Sequence, residues 1–222
     1  MATTPTIRAV QLTAVALVVS TVLAACGART QTAPVTGAAT RGPDVVMIIR
    51  HGEKPDHGEH GLDANGNDDK SSLTATGWDR AHRLVGLFDP ADGALRPGLV
   101  RPQAIYAANS NDNGEGARTR ETVAPLATAL GVAVDTDFGK GDEKALAHDV
   151  LARPGTVLIS WQHSGIPTIA DAFPSVTPTP PKKWPDDTFD VAWTLTRTAD
   201  GWHFAQIPEL LLPGDDTQVV PG

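Results

Sequence analysis

The 222-residue sequence predicts an α/β fold, a three-layer α/β/α sandwich with a mostly parallel central sheet and a C-terminal antiparallel hairpin. Three observations predict it. Uninterrupted apolar runs of strand length, such as Val45-Val46-Met47-Ile48-Ile49, suit strands buried on both faces of a parallel sheet. Stretches with apolar residues at helical spacing lie between those runs. Near the C-terminus the pattern changes to alternation of apolar with polar or small residues, as on a half-exposed strand.

Taken in order, Asp44 to Ile49 forms the first strand, and a long loop rich in Gly, Asp and Asn follows over 54–72. Thr74 is placed to cap a helix over about 75–88, whose broad apolar face carries Trp78, Ala81, Leu84, Val85 and Phe88. Ala104-Ile105-Tyr106-Ala107 is a second strand. A helix near 118–130 stops at Gly131, and Val132 to Val134 is a short strand. Residues 142–152 form a helix, Thr156 to Ser160 another buried strand, and Ile166 to Phe173 a further helix. A Pro-rich loop covers 174–185. Phe189, Val191, Trp193 and Leu195 then alternate, Ala199-Asp200-Gly201 turns the chain, and Trp202 to Ala205 returns as a hairpin.

The first 26 residues differ in kind. An apolar stretch, Val10 to Leu23, follows Arg8 and is too short to span a bilayer comfortably. It ends in Leu23-Ala24-Ala25-Cys26, so residues 1–25 read as a secretory signal peptide. The L-A-A-C ending resembles the bacterial lipobox, which implies lipidation of Cys26 and anchoring at the membrane on the extracytoplasmic side. Residues 26–43, small, polar and bearing Pro and Gly, read as a flexible tether, 44–213 as one domain and 214–222 as a tail. Cys26 is the one cysteine, which leaves no internal disulfide. A net charge of −8 argues against a nucleic-acid partner, since such proteins gather basic surface against backbone phosphates.

Position singles out two histidines. His51 and His163 each follow the C-terminal end of a buried strand, with Gly52 and Gly165 close behind. Ligands of open α/β sheets bind outside the carboxyl ends of the strands, so two such imidazoles can face one pocket. Arg50 stands beside His51, and Arg118 stands at the start of the helix that follows the 104–107 strand. Guanidinium forks and a helix N-terminus suit a tetrahedral dianion such as phosphate. Singly each residue reads as an ordinary loop or surface group; together they make an anion site.

Four segments carry a family resemblance. Ile48-Ile49-Arg50-His51-Gly52-Glu53-Lys54 resembles the R-H-G signature of the histidine phosphatase superfamily, in its R-H-G/A-E-K branch of phosphoglycerate mutase-like proteins. Leu73-Thr74-Ala75-Thr76-Gly77 is similar to the L-T-x-x-G opening that follows, and Arg118 to Thr122 to the second-arginine segment. Leu158 to Pro167 resembles the strand bearing the second histidine. The resemblance covers about 44–195 and implies hydrolysis of a phosphorylated small molecule through a phosphohistidine. His51 is then the nucleophile, with Arg50, Arg118 and His163 holding the phosphoryl oxygens. It implies no cofactor and no metal, because the two guanidiniums supply the positive charge. It also implies a carboxylic general acid from the segment after the second-arginine helix, where Asp135, Asp137, Asp142 and Glu143 stand and Asp137 or Asp142 is best placed. Ser164 occupies the position where another branch carries its acid.

The nearest enzymatic alternative is a phosphoglycerate mutase-like phosphotransferase, against which export argues. A surface lipoprotein that binds phosphate ligands with little or no turnover is the alternative from another class. His57, Glu59 and His60, and the Asp63 to Asp69 stretch, read as solvated loop rather than metal sites. Trp193 and Trp202 read as core.

Overall fold

The computed structural model describes residues 42–56, 58–109 and 117–222. The signal peptide, Cys26 and the tether up to residue 41 lie outside the described residues, as does His57. Among the described residues no helix is long and apolar enough to cross a membrane.

Strand β1 (Pro43–Arg50) extends the expected Asp44–Ile49 by one residue at each end and is buried from Val46 onward. The chain continues through helix α1 (Ala75–Phe88), β2 (Ala104–Ala107), α2 (Ala117–Leu130) and β3 (Val134–Asp135). Then come α3 (Glu143–Ala152), β4 (Gly155–Trp161), α4 (Ile166–Asp171), β5 (Val176–Thr177), β6 (Val191–Arg197) and β7 (Trp202–Pro208). They build one seven-stranded sheet in the order β3-β2-β4-β1-β6-β7-β5. β1 to β4 run parallel, β6 turns antiparallel to β1, and β7 returns antiparallel to β6. The predicted sandwich with a C-terminal hairpin is therefore the observed architecture, extended at its far edge by β5, which pairs parallel with β7.

The alternation of side chains along each central strand divides the core into two layers. Met47, Ile49, Ile105 and Leu158 pack with Leu84 and Phe88 of α1 and with Val123 and Leu126 of α2. Val46, Ile48, Val157, Ile159 and Trp161 point the other way, onto Leu146 and Val150 of α3 and Ile166 and Ile169 of α4. Ile48 is fully buried, so truncating it to Ala removes contacts on a packed face and costs about 2–5 kcal/mol.

Segment 214–222 is packed, not a free tail. The Gln206 amide donates to the Val220 carbonyl at 2.9 Å and accepts from its N–H at 3.0 Å, and Val220 is buried. Asp215 pairs with Arg80 of α1 at 2.8 Å. Arg80, itself nearly inaccessible, also holds Glu53 at 2.7 Å and Glu209 at 3.3 Å. This buried cluster ties the C-terminal chain to the loop that follows β1.

Candidate active site

Neighbouring parallel strands set the position of both histidines. In the β1–β4 ladder Arg50 lies opposite Trp161, and the His51 N–H donates to the Trp161 carbonyl at 3.1 Å. His51 and His163 thus leave the same edge of the sheet from adjacent strands, as their spacing from the apolar runs predicts. His51, Lys54, Arg118, Thr119, Lys140, Gln162, His163 and Ser164 line one cavity of about 150 Å³ there. Its wall is strongly cationic and contains no carboxylate among the described residues.

The motif glycines shape the turn after β1. A Cβ on Gly52 would stand 3.0 Å from the Gly77 carbonyl oxygen, and one on Gly77 would stand 2.6 Å from the Glu53 carbonyl oxygen. The two backbones cross too closely for any side chain. Thr74 secures the crossing: its N–H donates to the Glu53 carbonyl at 3.0 Å, and its hydroxyl caps α1 by accepting from Gly77 at 3.2 Å. From the other side the Gly52 N–H donates to the Thr122 hydroxyl at 2.8 Å, which in turn donates to the Arg118 carbonyl at 2.7 Å.

His51 has a defined protonation. Its Nδ1 lies 2.7 Å from the Gly52 carbonyl oxygen. A carbonyl can only accept, so Nδ1 carries the proton. Burial, opposed by that hydrogen bond and reinforced by Arg50, Arg118 and His163, lowers the imidazole to about 3. The ring is therefore neutral near pH 7, and Nε2 keeps an unshared pair. A buried, neutral imidazole whose tautomer is held by the backbone is a ready nucleophile.

Arg118, at the start of α2, is oriented by the loop before α1. Its Nε donates to the Ser72 carbonyl at 3.2 Å and its Nη2 to that of Lys70 at 2.8 Å. Glu121 fixes the same loop by accepting from the Ser72 hydroxyl at 2.7 Å and the Leu73 N–H at 3.0 Å.

Arg50 is not among the residues that line the cavity. Its Nη1 donates to the carbonyls of Pro185, Asp186 and Thr188, and its guanidinium carbon lies 3.7 Å over the Phe189 ring. Burial pulls it down to about 10, opposed first by Asp186. Its Nε and Nη2, with both amide atoms of Gln162, are buried without a partner among the described residues. Buried polar atoms rarely remain unpaired, and three unpartnered N–H bonds of a guanidinium are suited to an anion.

His163 contacts a residue that sequence reasoning missed. Its Nε2 lies 2.7 Å from Oδ1 of Asp186. Burial first, then Arg50, lowers the imidazole despite that carboxylate, so the contact is read as a neutral Nε2–H donating to a carboxylate. Asp137 and Asp142, the expected general acids, do not line the cavity. Both are exposed, and the Asp142 carboxylate accepts from the Gly139 N–H at 3.0 Å. Lys54, Lys140 and Gln162 were likewise not singled out as ligands. Lys54 ends the R-H-G-E-K stretch, but Asp186 lies in a loop after Pro185 that offers no periodic signal.

No family model and no curated protein matches the chain. Among solved structures, the protein histidine phosphatase SixA complexed with tungstate is 14% identical, with a TM-score of 0.44 over 74% of this chain and 97% of that one. A mycobacterial glucosyl-3-phosphoglycerate phosphatase is 13% identical, also with a TM-score of 0.44 over 74% of this chain and 97% of its own. These likenesses are remote, and the fold stands on the strand order described above.

Proposed function

We propose that this chain is an extracytoplasmic phosphatase of the histidine phosphatase type. It hydrolyses phosphomonoesters through a phosphohistidine at His51 and is held at the membrane by a lipid on Cys26. One observation carries the catalytic reading: a buried, neutral His51 with Nδ1–H tied to Gly52 stands in a cavity walled by Arg118, His163, Lys54 and Lys140. The export reading rests on the signal segment and the L-A-A-C ending.

In this reading the phosphoryl dianion enters the cationic cavity and is held by Arg118, His163 and the unpartnered edge of Arg50. Nε2 of His51 attacks phosphorus in line with the leaving oxygen. Cations fixed in a low-dielectric wall stabilise the charge that builds on the equatorial oxygens, and the preset geometry removes the need for reorganisation. Water then attacks the phosphohistidine and releases inorganic phosphate. If His163 donates to a phosphoryl oxygen while its Nε2–H remains on Asp186, the ring must carry both protons, a state that the incoming dianion favours.

The test is steady-state hydrolysis of p-nitrophenyl phosphate and alkyl phosphates by a soluble form of residues 42–222, beside His51→Ala. The expected result is turnover abolished by the substitution. Equal rates for the two proteins, or no turnover by either, reject the reading. Membrane fractionation of the full chain against Cys26→Ala tests the anchor, and an unchanged distribution rejects it.

A further inference from the structure

We propose that Asp186 is the proton donor to the leaving group, a deduction that rests on the phosphatase reading. Among the described residues no carboxylate lines the cavity, the expected Asp137 and Asp142 included. Asp186 does not line it either, yet it touches two of the anion-holding groups at once. Its backbone carbonyl accepts from Arg50 Nη1 at 2.7 Å, and its carboxylate lies 2.7 Å from His163 Nε2.

The backbone is held firmly there. Arg50 also binds the carbonyls of Pro185 and Thr188, while buried Trp184 donates from its indole N–H to the Thr188 carbonyl at 2.9 Å. The side chain, in contrast, is 75% exposed, whereas His51 is 5% exposed. In-line displacement puts the leaving oxygen on the side of phosphorus opposite the nucleophile. His51 is buried, and the exposed Asp186 carboxylate, paired with the cavity-lining His163, is the group assigned to that outer side.

The proton account closes. As the bond from His51 Nε2 to phosphorus forms, the phosphorus–oxygen bond breaks with its electron pair on the leaving oxygen. That oxygen takes the Asp186 proton. In the second step the Asp186 carboxylate takes a proton from water as the water oxygen bonds to phosphorus, and the nitrogen–phosphorus pair returns to Nε2. The products are the alcohol and inorganic phosphate.

The experiment measures kcat/KM for wild type, Asp186→Asn and Asp186→Glu across p-nitrophenyl phosphate, phenyl phosphate and glycerol 2-phosphate. A missing acid harms poor leaving groups most. Asp186→Asn should lose about 10²–10³-fold on glycerol 2-phosphate and less than about tenfold on p-nitrophenyl phosphate, with partial recovery in Asp186→Glu. A loss of equal size on all three substrates indicates a merely structural role and overturns the proposal. So does no loss, or a selective loss in Asp137→Asn or Asp142→Asn. An inactive wild type overturns the phosphatase reading itself, whereas an active wild type with a flat Asp186→Asn profile overturns this inference alone.

Discussion

Gly77 and Gly86 occupy the same helix, and replacing each with Ala tests whether the crossing under His51 controls the chemistry. A Cβ at Gly86 meets nothing within 4 Å, whereas one at Gly77 would stand 2.6 Å from the Glu53 carbonyl oxygen and 2.9 Å from its nitrogen. Ala is favoured over Gly inside a helix by about 1 kcal/mol, so Gly86→Ala should stabilise the protein by about 0.5–1 kcal/mol. Gly77→Ala gains the same term but forces two backbones apart, an overpacking that costs about 1–3 kcal/mol. The net expectation is a loss of roughly 0–2 kcal/mol. The functional effect should be larger than the stability effect, because the segment that must move is Gly52-Glu53, directly after His51. A displacement on the order of 1 Å at a reacting centre costs about 10²-fold in rate, so kcat should fall roughly 10–100-fold. Urea denaturation and steady-state kinetics of both variants supply the numbers. If Gly77→Ala matches Gly86→Ala, more stable and fully active, the crossing does not position His51.

Thr122→Val leaves the Gly52 N–H without its hydroxyl partner, at a cost of about 1–3 kcal/mol; kcat should fall with it, and unchanged kinetics would show that α2 does not hold the turn. Because burial lowers His51 to about 3, loss of kcat/KM from its protonation should begin only near that pH. Carbon-resolved NMR titration of the free protein checks this, and a His51 transition near its ordinary value refutes it. Burial lifts Glu209 to about 8 even though Arg80 opposes the rise, which accords with one arginine shared among three carboxylates. A raised folded pKa gives stability that is complete below the unfolded value near 4.5 and is lost as pH climbs to about 8. Glu209→Gln, which cannot ionise, should therefore gain on wild type through that window in denaturation curves. A difference independent of pH would contradict it.

The sheet was readable because its central strands are buried on both faces, which leaves continuous apolar runs at Val45–Ile49 and Val157–Ile159. Helix α1 was readable to the residue because Thr74 caps it and Pro90 follows its end. The third strand was misplaced by two residues because Gly131 and Val132 close α2, donating to the carbonyls of Thr128 and Ala127. The sequence showed Val132 as strand-like, but its N–H was already committed. β5 has two residues, too few for any period to register. Helix α4 stops at Asp171 rather than Phe173, where the chain turns toward that strand.

The site divides along the same line. His51, Arg118 and His163 follow from chain direction, since parallel strands deliver their C-terminal ends to one edge. Arg50 occupies its expected position in sequence, but its Nη1 is committed to three carbonyls and the residue does not line the cavity. Asp186 approaches from a loop 23 positions beyond His163, and only the fold brings the two together. Glu209 and Asp215 carry no local pattern that marks them as buried, yet their partner Arg80 lies on the buried face of α1. Long-range pairing of this kind leaves no trace in local pattern.

The central claim concerns one nitrogen. Rapid quenching of the enzyme during turnover of a labelled phosphomonoester, followed by peptide mapping under alkaline conditions, locates the transferred group. The account predicts phosphohistidine at position 51, bonded through Nε2 because Nδ1–H is held by Gly52. Label on another residue, on Nδ1 of His51, or on no residue while phosphate is still released would contradict it.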